Sequence, residues 1–298
     1  MILRNFIIYG IGRFIPDKLW IQLKFFQCLG RFVDFKNPRS YNEKLQWLKL
    51  YDRRPEYTGM VDKYEAKQYV ADRIGQEYVI PLLGGPWNSF DEIEFDKLPA
   101  QFVLKTTHDC GGVVICKDKA DFDKDAAKKF LHRHLRTDYY LPYREWPYKD
   151  VKPRIFAEAY MRDDGDGQSS SKQEQLTDYK FFCFDGVPKV LLIVSDREDA
   201  EKETRYDFFD MDFKHLPITN GHPNAAKPPE CPETFSQMCE IASKLSTGIP
   251  QSRIDLYDVG GHIYFGEITL FRGGGFMPFE PKEWDYIFGD WITLPKKV

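Results

Sequence analysis

The chain is short of several things, and each shortage removes a class of function. Its six cysteines (Cys28, Cys110, Cys116, Cys183, Cys231 and Cys239) show no C-x-x-C spacing. No zinc framework is visible, and scattered thiols in a chain of this size suit a reducing cytosol. No run reaches the ~18 consecutive apolar residues of a membrane span. The N-terminal FIIYGIG is short and soon meets charge, so it makes a poor signal peptide. Positive charge is not in excess: 42 Lys and Arg stand against 46 Asp and Glu, which argues against a nucleic-acid partner. No internal repeat is present. No G-x-x-x-x-G-K-[ST] occurs either, so a Walker-type phosphate loop is not expected.

What remains is a globular composition, 42% hydrophobic and 30% charged over 298 residues. That is enough for one large domain or two or three lobes. Aromatic content is 16%, which suits stacking surfaces for rings, bases or sugars, or filler for a core.

The most informative stretch is RIDLYDVGGHIYFGEITLFRGGG, Arg253 to Gly275. It reads as two strands around a glycine turn. Each strand carries an acid, Asp255 and Glu267, where an unpaired buried carboxylate would be very costly. A three-residue loop, Gly260-Gly261-His262, puts the two acids opposite each other on one face. A plain two-residue Gly-Gly turn throws them onto opposite faces. Opposed carboxylates need a cation between them, and Mg²⁺ fits, since it takes one or two carboxylates plus substrate phosphates. Thr269 and Arg253 share the faces of Glu267 and Asp255, each two residues away. If the two acids share one Mg²⁺, Asp255→Asn and Glu267→Gln are expected to melt no lower than wild type without metal.

A second stretch, FVLKTTHDCGGVVIC, is a strand ending in Lys105, a loop, and another strand. Gly111 and Gly112 let backbone approach a ligand, and Lys105 with the loop amides could hold phosphates. His108 reads as a loop residue or a phosphate contact. RIFAEAYM is a strand with one acid, Glu158. It has the form of a segment that reads adenine, with Ala159, Tyr160 and Met161 meeting the base edge, or of an edge strand with a solvated Glu. Asp163, Asp164 and Asp166 follow without the EF-hand order, so that segment reads as a loop. DYKFFCFDGVPKVLLIV is a hairpin around Asp185-Gly186, with Asp178 and Lys180 on one face, suited to a ribose hydroxyl and a phosphate. Arg197 ends its second strand and could face the substrate.

Elsewhere the readings are plainer. Residues 1–36 are aromatic and basic, with Leu19, Leu23 and Phe26 at helical spacing. They form either an interfacial helix on the inner face of a membrane or a helix packed on the protein body. Ser40 and Glu43 make a capping-box pattern, and a further helix stops at Gly75. YVIPLLGG is expected as a strand ending near Pro81. Lys63 and Lys67 could approach a ligand, or are exposed helix lysines that do nothing specific. A helix is expected over 125–136, then a Tyr- and Pro-rich connector. Residues 199–231 read as a charged, Pro-rich excursion, and 232–246 as a helix.

Taken together, NPRSYNEKLQWLKL, VDKYEAKQYV, FVLKTTHDCGG, DYKFFCFDG and RIDLYDVGGHIYFGEIT resemble, in order, the TupA-like ATP-grasp family. Departures are Cys110 in the phosphate loop and Thr269 where the superfamily pattern has Asn. The resemblance implies an α+β ATP-grasp fold: an N-terminal helical and mixed lobe (1–97), a small lid lobe (98–157) and a C-terminal lobe (158–298) with the metal site. It implies ATP and Mg²⁺ as cofactors and a cytoplasmic, ADP-forming carboxylate–amine ligase. The expected acceptor is a hexuronic acid of a surface polysaccharide or its precursor, and the donor an amino acid or amine. Arg253 and the amides of Gly273, Gly274 and Gly275 are expected to hold a tetrahedral oxyanion. A sugar phosphotransferase and a non-catalytic nucleotide-binding scaffold are the rival expectations.

Overall fold

A computed structural model describes residues 6–162, 176–195 and 203–296. The expected loop at Asp163, Asp164 and Asp166, and Arg197, lie outside the described residues.

Among the described residues ten strands form two sheets, and the strands pair antiparallel. The first sheet holds β1 (Leu82–Trp87), β2 (Phe102–Thr106), β3 (Val113–Cys116) and β4 (Ile155–Glu158), in the order β1-β4-β2-β3. The second holds β5 (Asp178–Phe184), β6 (Val187–Ser195), β7 (Arg205–Phe209), β8 (His215–Leu216), β9 (Ser252–Val259) and β10 (His262–Thr269), in the order β10-β9-β5-β6-β7-β8. The helices are α1 (Asp17–Leu29), α2 (Tyr41–Tyr51), α3 (Glu56–Val61), α4 (Glu65–Ile74), α5 (Lys124–Leu135), α6 (Tyr140–Tyr143), α7 (Phe235–Ser246) and α8 (Glu283–Trp291).

Local signals account for most boundaries. Ser40 Oγ accepts from the Glu43 amide and Glu43 Oε2 accepts from the Ser40 amide at 3.1 Å, which closes the capping box of α2. Asp185 and Gly186 both take positive φ, as the tight turn between β5 and β6 requires. The second sheet is covered on both faces at its deep end. Phe181 stacks on Phe235 of α7, while Phe182 lies 5.4 Å from Phe288 of α8. That double cover is why β5 and β6 read as nearly continuous apolar runs.

Two segments differ from their sequence reading. β1 begins after Pro81 rather than ending at it, and runs through Gly84, Gly85 and Pro86. Such residues are poor strand formers, and pairing with β4, interrupted by register shifts, overrides propensity. Within 199–231, the run RYDFF forms β7 and pairs with β6. Charge and proline on either side masked its aromatic residues.

Residues 41–79 share one core with the second sheet: Tyr41, Leu45, Val70 and Val79 belong to the same cluster as Phe182, Leu192 and Ile254. A smaller core lies under the first sheet, where Phe102, Leu104 and Ile155 meet Phe95, Ala127 and Leu131. β1, from the segment expected in the N-terminal lobe, completes the sheet of the next.

Candidate active site

The two sheets face each other across a cleft of about 420 Å³. On the second sheet its wall is the β9–β10 hairpin. The turn is the two-residue form, since Val259 pairs with His262 and both Gly260 and Gly261 have positive φ. By parity this should part the acids, but Glu267 nevertheless lies opposite Asp255. The register shifts by one between Phe265 and Glu267, so Gly266 is an extra residue, a β-bulge that restores the pairing. A side chain there would crowd the Tyr257 ring and the Asp255 carbonyl oxygen, at 3.0 and 3.1 Å from a Cβ. Glycine fits the bulge for that reason.

A protein cation stands between the two carboxylates. Arg253 donates from Nε to Asp255 Oδ1 (2.6 Å) and from one terminal nitrogen to Asp255 Oδ2 (2.7 Å) and Glu267 Oε1 (2.9 Å). Lys180, across the ladder from Asp255, donates to Oδ2 at 2.5 Å and lies 3.1 Å from Asp178. Burial would raise the Asp255 carboxyl, but Arg253 and Lys180 outweigh it and hold it at about 2. Asp255 is therefore buried and paired on both oxygens. Glu267 is the accessible acid, its side chain 40% exposed. Its Oε2 has no hydrogen bond among the described residues, while Oε1 accepts from Thr269 at 3.4 Å.

This donor set fits Mg²⁺. Of the expected metal ligands, Glu267 lines the cleft and offers hard oxygens with Thr269 beside it, with places left for phosphate, whereas both Asp255 oxygens are already taken by Arg253 and Lys180. No cluster of three or more acid, His or Cys ligands occurs among the described residues, so the chain supplies only part of a coordination shell.

The opposite wall belongs to the first sheet. Glu158 of β4 is buried between two lysines: Lys105 of β2 meets Oε1, and Lys67 of α4 lies 2.8 Å from Oε2. Burial alone would raise the Glu158 carboxyl, and the two lysines together hold it below its ordinary range. Lys67 is thus no exposed helix lysine. Ala66, Lys67 and Val70 form the buried side of α4, and burial lowers the Lys67 pKa. Lys63 donates to the Asp109 carbonyl and also lines the cleft.

Several expected contacts lie elsewhere or are already used. Lys105, Gly111, Glu158, Asp178, Lys180, Arg253, Asp255 and Glu267 all line the cleft. His108 does not: its Nε2 lies 3.1 Å from the Thr137 carbonyl oxygen, on the other side of the loop. Gly112 packs its α-carbon against Thr106, so its role is steric closeness within the loop. The Ala159 amide donates to the Pro81 carbonyl (2.9 Å) and is spent inside the fold. Ala159 and Tyr160 line a separate hollow with Leu83 and Pro99, and Met161 follows, half-buried. The glycine loop after β10 faces α2. Gln46 donates to the Gly274 and Gly275 carbonyls (3.0 and 2.6 Å), Lys49 donates to Gly274 (2.8 Å), and the Gly274 amide donates to Phe271. A Cβ on Gly275 would strike Gln46, so packing explains that glycine better than an oxyanion does.

The connector before β4 was not read as functional. Glu145 is buried, and no described residue bonds its carboxylate. Burial lifts it to about 7, against the attraction of Lys49, Lys24 and Arg253. Tyr139 and Tyr148 meet edge to face at 4.8 Å, and burial raises both hydroxyls, helped by the charge of Glu145 and Glu267. The one sequence signal was the density of Tyr and Pro in 139–148.

An α+β chain whose antiparallel sheets clasp a cleft, with lysines on one wall and paired acids on the other, has the ATP-grasp architecture. The sequence places it more narrowly: the family described as TupA-like ATPgrasp matches residues 43–293, and the chain belongs to that family. No curated protein matches it. Among solved structures it is similar to D-alanine–D-alanine ligase from Bacillus anthracis complexed with ATP, at 15% identity and TM-score 0.39, covering 87% of this chain and 64% of that one. The corresponding Helicobacter pylori enzyme matches at 13% identity and TM-score 0.43, over 87% of this chain and 68% of that one. The ATP-grasp ligase PsnB, complexed with a minimal precursor, Mg and ADP, matches at 16% identity and TM-score 0.38, over 78% and 59%. The chain thus spans less than two thirds of the length of the Bacillus ligase and of PsnB.

Proposed function

We propose that this protein is an ATP- and Mg²⁺-dependent, ADP-forming carboxylate–amine ligase. On this reading it activates the carboxylate of a hexuronic acid, in a surface polysaccharide or its precursor, and amidates it with an amino acid or amine. The observation that carries the reading is the charge division across the cleft. Lys67, Lys105 and Glu158 leave the first wall net positive. Arg253 and Lys180, set against Asp178, Asp255 and Glu267, leave the second net negative. A triphosphate suits the first wall and its counter-cation the second.

The chemistry needs positioning and charge neutralisation more than a protein nucleophile. A substrate carboxylate oxygen attacks the γ-phosphorus, the bond to the β-phosphate oxygen breaks, and ADP leaves. The amine then attacks the acyl carbon of the acyl phosphate, inorganic phosphate leaves, and the ammonium proton is lost. Lys105 and Lys67 would hold phosphate oxygens in the first step. Arg253, fixed by Asp255, would present its remaining donors to the developing oxyanion. Glu267 and Thr269 would hold Mg²⁺, whose charge would offset that of the phosphates, while Asp255 holds Arg253 and Lys180 in place beside it. Family membership supports the nucleotide. The capsule or surface-glycan acceptor rests on what the family resemblance implies.

The test is incubation of the purified protein with Mg-ATP and a panel of uronic acids, each with and without amino acids or hydroxylamine. ADP and phosphate in equal amounts, with a hydroxamate when hydroxylamine is the amine, are expected. A phosphorylated sugar and no phosphate release would replace the ligase with a kinase.

A further inference from the structure

α1 has apolar residues on both sides. Trp20, Ile21 and Phe25 are buried, and Phe25 meets Phe276 at 6.3 Å just past the glycine loop. On the opposite side Leu19, Leu23 and Phe26, spaced i, i+4 and i+7, are each about half exposed. The segment before the helix exposes Ile11 and Phe14, the latter at 83%, and the segment after it exposes Phe32, stacked on Phe26 at 4.9 Å. An exposed apolar stripe of this kind ordinarily has a partner, and no described residue covers it.

Charge says what that partner is. Among residues 11–36, Arg13, Lys18, Lys36 and Asp34 are exposed. Asp34 is engaged as a cap, accepting from the Lys36 and Asn37 amides. Asp17 is drawn inward to Arg53, Tyr140 and Arg144. Arg31 is bound to Glu43, and Lys24 lies 3.8 Å over the Tyr143 ring. The apolar face is therefore rimmed by cations, on a chain whose net charge is −4. An anionic surface suits the rim, and an apolar layer suits the face. α1 has 13 residues, whereas a span needs about 20, and no described helix is long and apolar enough to cross a membrane.

We infer that residues 11–36 dock this protein onto an anionic lipid bilayer, with Phe14, Leu19, Leu23, Phe26 and Phe32 lying in the interface and Arg13, Lys18 and Lys36 at the headgroups. The inference is independent of the ligase reading, since neither the cleft nor ATP enters it. It gives the packed helix of the sequence reading a second, outward task.

The test is co-sedimentation of the full chain with vesicles of phosphatidylglycerol and phosphatidylcholine, and of phosphatidylcholine alone. Binding to the anionic vesicles is expected, weakening with added salt as the rim is screened. Phe14→Glu combined with Phe26→Glu should lower it at least tenfold. Both side chains are exposed, so the melting temperature should hold. Arg13→Glu with Lys18→Glu should remove the preference for anionic lipid. Wild type left in the supernatant, or the double Phe variant sedimenting like wild type, would overturn the inference. So would a dimer in analytical ultracentrifugation that the double Phe variant abolishes, because the face would then belong to a second copy.

Discussion

Each wall of the cleft holds a buried carboxylate between two cations, but the two clamps are built differently. Glu158 is held by lysines from two separate elements, α4 and β2, and both of its oxygens are used. Asp255 is held by an arginine two residues away on its own strand and a lysine on the next strand, all on one sheet. The first clamp joins a helix to a sheet and leaves net positive charge. The second is rigid within one sheet and keeps a further acid, Glu267, facing the cleft. A lysine is a compact charge on a flexible stem, whereas the arginine fork fixes direction. The contrast is between a clamp that spans a helix and a sheet and a clamp contained in a single sheet.

The largest expected effect comes from breaking the rigid clamp. Asp255→Asn leaves Arg253 and Lys180 buried without their shared partner. Losing one member of a buried pair costs about 3–5 kcal/mol of stability, and activity should vanish with it. Calorimetry checks this, and a melting temperature equal to wild type would refute it. The result reverses the expectation drawn from two bare carboxylates, because Arg253 already stands between them.

Next comes the flexible clamp. Lys105→Ala should weaken ATP binding by about 1.5–3 kcal/mol, the range for a hydrogen bond to a charged group. Titration calorimetry at fixed Mg²⁺ reads it directly, and unchanged affinity would remove Lys105 from the nucleotide wall. Acid titration gives a smaller effect on the rigid side. The Asp255 carboxyl falls from its ordinary 3.8 to about 2, so the folded state favours the charged form. Its contribution, about 2 kcal/mol, is present above pH 4 and is lost as the pH drops toward 2. Asp255→Asn should flatten that part of the stability curve. The smallest change in the resting protein is Glu267→Gln, at an accessible site where substitutions usually stay within about 0.5 kcal/mol. It should nonetheless lose most of the thermal stabilisation that Mg-ATP gives wild type. Full stabilisation would show that Glu267 has no part in holding the metal.

The sequence disclosed the site more readily than the manner of its construction. Most strands of the two sheets, the capping box of α2, and the lysine and acids of the cleft follow from period-2 alternation, turn glycines and motif order. The misreadings have specific causes. Lys67 looked exposed because a lone lysine gives no sign of a buried carboxylate arriving from a strand far along the chain. Arg253 looked like an oxyanion donor only, since spacing does not reveal which way a guanidinium turns. The amides of 273–275 suggested a ligand, whereas the Gly274 amide is spent on Phe271, and Gln46 and Lys49 of α2 take the Gly274 and Gly275 carbonyls. β7 was hidden by flanking charge, and Glu145 by having no motif at all.

The bulge at Gly266 has a genetic corollary. The acids face each other because one residue too few in the turn is made up by one residue too many in the strand. Deleting Gly266 should leave Glu267 opposite Asp255 on a ladder with no bulge, because Phe265 pairs with Leu256 and the next residue along would then be Glu267. A side chain at 266 that straightened the ladder instead of bulging would take the place opposite Asp255 and swing Glu267 to the far side of the sheet.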